Sequence, residues 1–217
     1  LGSAPLLNLV GLLYALLMNS KIKGKSAARA CIYMPAIISP LIMGYIWYLL
    51  LQPGRGILFT VFDRMGHPEW FGNWMGSYTT TMIVLVLVNV WQYAGMTMII
   101  YLAGLQNISQ DLYEAAMIDG AGTFARFRRI TLPLLTPTIF FNLVMQLING
   151  FMVFAQGQII TDGKPMNSTL FYVLYMYQQS FEYSKVGYAA AMGWILLVLV
   201  ALFTGLLFKT KKYWVYE

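Results

Sequence analysis

The sequence predicts an all-α protein of the membrane, a polytopic transmembrane helical bundle with about five spans visible and one polar helix–turn–helix elbow between them. Three observations predict it. Of the 217 residues, 59% are hydrophobic and only 10% charged, where a soluble domain carries about a quarter charged residues. The charges cluster in short segments, and the stretches between them are long enough to supply the ~20 apolar residues that a spanning helix needs. The longest run of mixed charge, Glu114–Pro133 (EAAMIDGAGTFARFRRITLP), lies between two such stretches. Helices need no such segment to insert or pack, so it reads as a contact for something outside the bilayer.

The first span is expected near Leu6–Met18, inside the uncharged residues 1–20, with Lys21, Lys23, Lys25 and Arg29 following at once. The second is expected near Ala28–Leu51. It contains Pro35 and Pro40, which a membrane helix tolerates where neighbours satisfy the freed carbonyls, and a kink is expected. Gln52–Gly76 holds Arg55, Asp63, Arg64, His67 and Glu69 beside Trp70, Phe71 and Trp74. It reads as an external loop with an interfacial aromatic belt. The third span is expected near Thr80–Leu102.

The elbow comes next. Ser109 is placed as an N-cap, with Asp111 and Glu114 in the first turns at the positive end of the helix dipole. Gly120 and Gly122 end that helix. Thr123 caps a second short helix carrying Arg126, Arg128 and Arg129, and Pro133 opens the next span, where a missing N–H costs little. The first limb is acidic and the second basic. The fourth span is expected near Leu134–Ile159 and the fifth near Val186–Phe208. Between them, the polar stretch Thr161–Lys185 contains Asp162-Gly163-Lys164-Pro165, and the tail Lys209-Thr210-Lys211-Lys212 follows the last span. Ala189 and Gly193, at helical spacing, suggest a close helix crossing.

Alternation of the spans puts residues 21–29, the elbow and the tail on one side, with ten of the 14 lysines and arginines. The other side holds Arg55, Arg64, Lys164 and Lys185. The richer side is expected to be the cytoplasm, and with it the C-terminus. The net charge of +6 follows this topology, and no nucleic-acid partner is expected. Cys31, the single cysteine, sits in an apolar run and is expected to be buried and inert. One cysteine and one histidine, His67, give no disulfide framework and no metal site.

Glu114-Ala115-Ala116, three residues, Gly120, nine residues, Ile130, one residue, Leu132-Pro133 resembles the EAA loop of the permease subunits of ABC importers. Tyr101-Leu102-Ala103-Gly104-Leu105-Gln106 and Asp111-Leu112-Tyr113 look like the sugar-importing, maltose-type or glycerol-phosphate-type branch. The resemblance covers nearly the whole chain. It implies a single transmembrane permease domain over 1–217, N-terminally incomplete because the family has at least six spans, and a cytoplasmic coupling loop over 105–133. It also implies that Glu114, Ala115, Ala116, Asp119, Gly120, Arg126, Ile130, Leu132 and Pro133 couple to an ATPase subunit. The implied partners are the ABC ATPase subunits, a second permease subunit, an extracytoplasmic solute-binding protein, a carbohydrate substrate and the bilayer of a bacterial plasma membrane. No cofactor is expected in this chain, since ATP and Mg belong to the partner ATPase. An amphipathic connector lying on the membrane surface is the plain alternative for the elbow.

The residues alone exclude some classes. There is no G-x-x-x-x-G-K-[ST] loop to cradle ATP, and no acid lies within a span to relay protons, as a secondary carrier would use. An integral membrane enzyme or scaffold would need clustered acids, bases or nucleophiles at one face, whereas Asp63, Glu69, Asp162 and Glu182 are scattered, each near a basic residue. A permease for a non-sugar solute stays open as an alternative. Two polar stripes mark a candidate substrate path. Asn89, Gln92 and Tyr93 share one face of the third span, and Asn142, Gln146 and Asn149 share one face of the fourth. Amides offer paired donors and acceptors to hydroxyls, and Tyr93 or Trp91 can stack on a sugar ring. The same residues can instead be hydrogen-bond glue between helices.

Overall fold

A computed structural model describes residues 2–20, 23–52, 54–67, 69, 71 and 74–216. Lys21 and Trp70, used in the sequence reading, lie outside them. The described residues form helices and no strand. Two helices are long and apolar enough to cross a membrane, Tyr78–Gln106 and Val186–Trp214, and the number rises to four if each of two bent helix pairs makes one span. A further apolar helix, Ser3–Asn19, has 17 residues.

The second expected span is two helices, Lys25–Ile37 and Pro40–Leu51. The break falls at Pro40 rather than Pro35. Pro40 occupies the first turn of the new helix and Ser39 before it is extended (φ −51°, ψ 136°), the conformation that a following proline imposes. The fourth expected span is shorter than Leu134–Ile159. It runs Thr136–Phe151, breaks at Met152–Phe154, and resumes as a turn ending in the π-helical segment Gly157–Thr161. The fifth extends beyond Phe208 to Trp214, through the lysines. Inside the polar stretch after Thr161 a short helix, Tyr172–Tyr177, continues as a π-turn over Gln178–Glu182.

The chain forms two compact units, and the long helix Tyr78–Gln106 contributes to each. The first comprises Leu1–Ala36, Tyr93–Ile148 and Val200–Glu217. Its core is Ala15, Met18, Met98, Tyr101, Leu102, Leu105, Ile108 and Leu135. Helix Ser3–Asn19 buries Leu7, Gly11, Ala15 and Met18, one stripe at helical spacing. Gly11 is required there, because a Cβ would lie 2.8 Å from that of Thr97. Gly95 leaves still less room: its Cβ would meet backbone atoms of Ile32 and Tyr33. These small residues let backbones approach closely. The tail packs on the same unit, with the Phe140 ring edge-on to Phe208 at 5.0 Å and the Tyr216 N–H donating to Thr136 Oγ1.

The second unit comprises Ile37–Gln92 and Asn149–Leu199. Its core is Leu51, Trp74, Leu85, Val88 and Ile160. Here the expected loop Gln52–Gly76 contains a helix, Ile57–Arg64. Trp74 is no interfacial belt residue: it is buried, and its indole N–H donates to the Leu51 carbonyl at 2.7 Å. The crossing expected at Ala189 and Gly193 is loose, since a Cβ on Gly193 would meet only the Met176 sulfur at 3.8 Å. Cys31 is exposed, so burial within this chain does not protect it.

Candidate functional site

Ser109 is the N-cap of helix Gln110–Ile118, its hydroxyl oxygen accepting from the Asp111 N–H at 3.2 Å. Asp119 ends the helix, and Gly120 turns the chain at φ +77°. The Gly120 N–H donates to the Met117 carbonyl and the Ala121 N–H to the Ala116 carbonyl at 2.8 Å, the paired bonds of a Schellman closure. Gly122, not Thr123, is the N-cap of the second limb. Thr123 is already helical, so its hydroxyl faces the Arg126 guanidinium (3.4 Å) instead of a free N–H. That limb runs Thr123–Leu134, with a π-turn over Phe127–Thr131, and meets helix Thr136–Phe151 at a 59° bend. Pro133 therefore lies inside the limb, two residues before the bend at Leu135.

The nine residues expected to couple to an ATPase divide by exposure. Glu114, Ala115, Asp119 and Gly120 are exposed, while Ala116, Arg126, Ile130, Leu132 and Pro133 are half-buried. Ile130 and Tyr113 pack on the core of the first unit, and the Tyr113 hydroxyl bonds that of Thr131 at 2.9 Å. The limbs are thus tied back on one side and open on the other. The open side carries large apolar residues that the charge pattern hid. Ile118 is 87% exposed and Phe124 75%, with Met117 and Leu112 beside them. A hydrophobic residue two positions before the turn glycine was the available signal.

The polar stripes fall into separate networks. In the first unit, the Asn8 amide donates to Gln146 Oε1 and accepts from the Tyr101 hydroxyl. Gln146 Nε2 also lies 3.5 Å from Thr97 Oγ1. Asn142 is buried, and its side chain lies against the Tyr101 hydroxyl. In the second unit, Gln92 is fully buried. Its Nε2 reaches the Ile38 carbonyl at 3.5 Å, and its Oε1 accepts from Gln156 Nε2 at 3.2 Å. The Ile38 carbonyl stands at the Pro40 break, so Gln92 satisfies a backbone group that the break released. Asn89 and Tyr93 are half-buried. Asn149 is exposed rather than inward-facing, because the helix ends two residues later and the chain turns away at Met152. Asn8, Gln156 and Thr97 were not singled out as polar partners. Asn8 sits alone in its window, so no stripe marks it, and Gln156 lies beyond the break at Met152.

A family model described as binding-protein-dependent transport system inner membrane component matches residues 8–209. Among similar proteins, the probable ABC transporter permease protein YesP of Bacillus subtilis is 41% identical, covering 100% of this chain and 70% of its own. The arabinooligosaccharides transport system permease protein AraP of the same organism is 35% identical, covering 88% of this chain and 61% of its own. The trehalose/maltose transport system permease protein MalF of Thermococcus litoralis is 32% identical, covering 97% and 70%. The chain therefore spans between 61% and 70% of the length of these relatives. Among solved structures, a chain of a bacterial alginate ABC transporter, crystallised with an alginate pentasaccharide-bound periplasmic protein, aligns with a TM-score of 0.79 over 97% of this chain and 76% of its own. At 23% identity that likeness speaks to the fold alone. With the model match running over nearly its whole length, the chain belongs to the family of inner-membrane permease components of binding-protein-dependent transport systems.

Proposed function

We propose that this chain is the permease subunit of an ATP-driven ABC importer for a carbohydrate, and that residues 105–133 form its cytoplasmic coupling loop. The observation that carries the reading is the elbow. A Schellman-closed turn leaves Glu114, Ile118, Asp119 and Phe124 exposed, while Tyr113 and Ile130 pack on a core. A lever needs both properties. Ile118 and Phe124 are apolar knobs for a groove on an ATPase subunit, and Glu114 offers a charge for a basic residue at its rim. Relatives that transport arabinooligosaccharides and trehalose/maltose support the substrate class. A solute-binding protein outside, a second permease and two ATPase subunits with ATP and Mg complete the proposed importer, in a bacterial plasma membrane with the C-terminus inside.

The test uses the assembled complex in vesicles. Ile118→Asp and Glu114→Lys should each reduce ATPase copurification by more than about tenfold, since losing one partner of a desolvated interfacial contact costs on the order of 2–5 kcal/mol. Membrane insertion should be unchanged. Wild-type uptake of labelled oligosaccharide by both variants would remove the elbow from the coupling role. Absence of oligosaccharide uptake by the wild-type complex, with another solute transported, would remove the carbohydrate.

A further inference from the structure

The second unit contains a cavity of about 880 Å³ between helix Pro40–Leu51 and the turn that ends at Lys164. This lies within the roughly 300–1,000 Å³ of small-molecule sites, and neither the elbow nor the polar stripes use it. Six of its lining residues carry chemistry: Tyr45, Tyr48, Gln52, Gln158, Asp162 and Lys164.

Its walls are built. Gly44 sits against Ile159, where a Cβ would come within 3.1 Å of that side chain. The Thr161 and Thr169 hydroxyls are buried and bonded to each other at 2.7 Å. Thr161 also donates to the Gly157 carbonyl, and Thr169 lies 3.0 Å from that of Lys164. Asp162 adopts the left-handed conformation at φ 50°, and the Lys164 N–H donates to the Thr161 carbonyl at 2.9 Å. The turn that presents Asp162 and Lys164 is therefore pinned from beneath.

The lining chemistry selects a class of ligand. Tyr45 and Tyr48 are three residues apart and share one helix face, and the two residues are 60% and 39% exposed. Gln52 follows four residues after Tyr48, on the same side. Two amphipathic rings beside two amides fit a sugar, which has an apolar ring face and hydroxyls at its edge. Asp162 and Lys164 face each other at 3.9 Å on the rim. Their charges offset, so the site has no net field to attract a uronate or a sugar phosphate.

We infer that this cavity is a vestibule that binds a neutral oligosaccharide. The inference rests on the carbohydrate reading above. The test uses the assembled complex with its binding protein, reconstituted in vesicles. Neutral di- to pentasaccharides (α-glucans and arabinans) and oligouronates serve as probes. Tyr45→Ala and Tyr48→Ala should each raise the transport KM about threefold to tenfold, the scale of one lost ring contact. Assembly and basal ATP hydrolysis should stay unchanged, and Tyr45→Phe and Tyr48→Phe should behave as wild type. In a Cys31→Ser background, Gln158→Cys should react with an impermeant maleimide, and the transported neutral sugar should slow that reaction several-fold. If a neutral sugar is transported but neither protects Gln158→Cys nor changes KM in the alanine variants, the vestibule is wrong while the carbohydrate reading stands. If oligouronates are the transported and protecting probes, neutrality is wrong. If no saccharide is transported, both readings fall.

Discussion

Gln92 is where the two meanings of a polar residue in a membrane helix separate. Both ends of its amide are engaged, one by Gln156 and the other by the carbonyl freed at Pro40. Gln146 is likewise engaged, by Asn8 and Thr97. We therefore assign Gln92 and Gln146 to packing and leave Asn89 and the exposed Asn149 as the residues that can meet a solute. Gln92→Leu strands the Gln156 amide and the Ile38 carbonyl, and should cost about 1–3 kcal/mol of stability. Gln92→Leu with Gln156→Leu should recover part of that loss, read as thermal unfolding of the purified complex. Asn89→Leu and Asn149→Leu should leave unfolding unchanged and alter uptake. Uptake lost in Gln92→Leu at unchanged unfolding temperature would return Gln92 to the path. The sequence revealed that these residues are polar and share faces. It could not reveal which amides find partners, because Asn8 and Gln156 lie far from them along the chain.

At the scale of the element, the elbow was the most legible part of the molecule. Ser109, Gly120 and the two limbs stand where local capping chemistry puts them, because caps depend on a handful of neighbouring residues. The error of one residue at Thr123 has a local cause: Gly122 is itself an acceptable N-cap and precedes it. Gly120→Ala places a Cβ in the left-handed region and should cost about 1–2 kcal/mol. Gly122→Ala, at φ −66° with open space around it, should cost less. Protease cleavage within 119–123 of the assembled complex should be faster for Gly120→Ala and near wild type for Gly122→Ala. Equal rates would mean that the turn is not held by its glycine. Less legible were the break at Met152 and the short helix Tyr172–Tyr177. Neither carries a proline to mark it, and hydropathy averages such breaks away.

For the whole molecule, composition and charge clustering announced a membrane protein, and the family match agrees. The positions of close approach escaped the sequence reading. Gly11, Gly44 and Gly95 touch other segments, whereas the small pair that was noticed, Ala189 and Gly193, does not pack tightly. The topology can be measured directly. In a Cys31→Ser background, Met65→Cys should react with an impermeant reagent from outside and Thr123→Cys only after lysis; the reverse pattern would place the elbow away from ATP. The network of Asn8, Tyr101 and Gln146 also bears on how the protein is made. Helix Thr136–Phe151 has 16 residues, about 24 Å at 1.5 Å per residue, against ~30 Å of hydrocarbon, and it carries three amides. Alone in lipid it is a poor insertion substrate. Asn8 and Thr97 are synthesised before it and supply the partners for Gln146, so the earlier helices complete the bonding of this one when it emerges. Biogenesis of the first unit is thereby an assembly of helices rather than a sequence of independent insertions, and Asn8→Leu should appear first as a defect in nascent-chain integration.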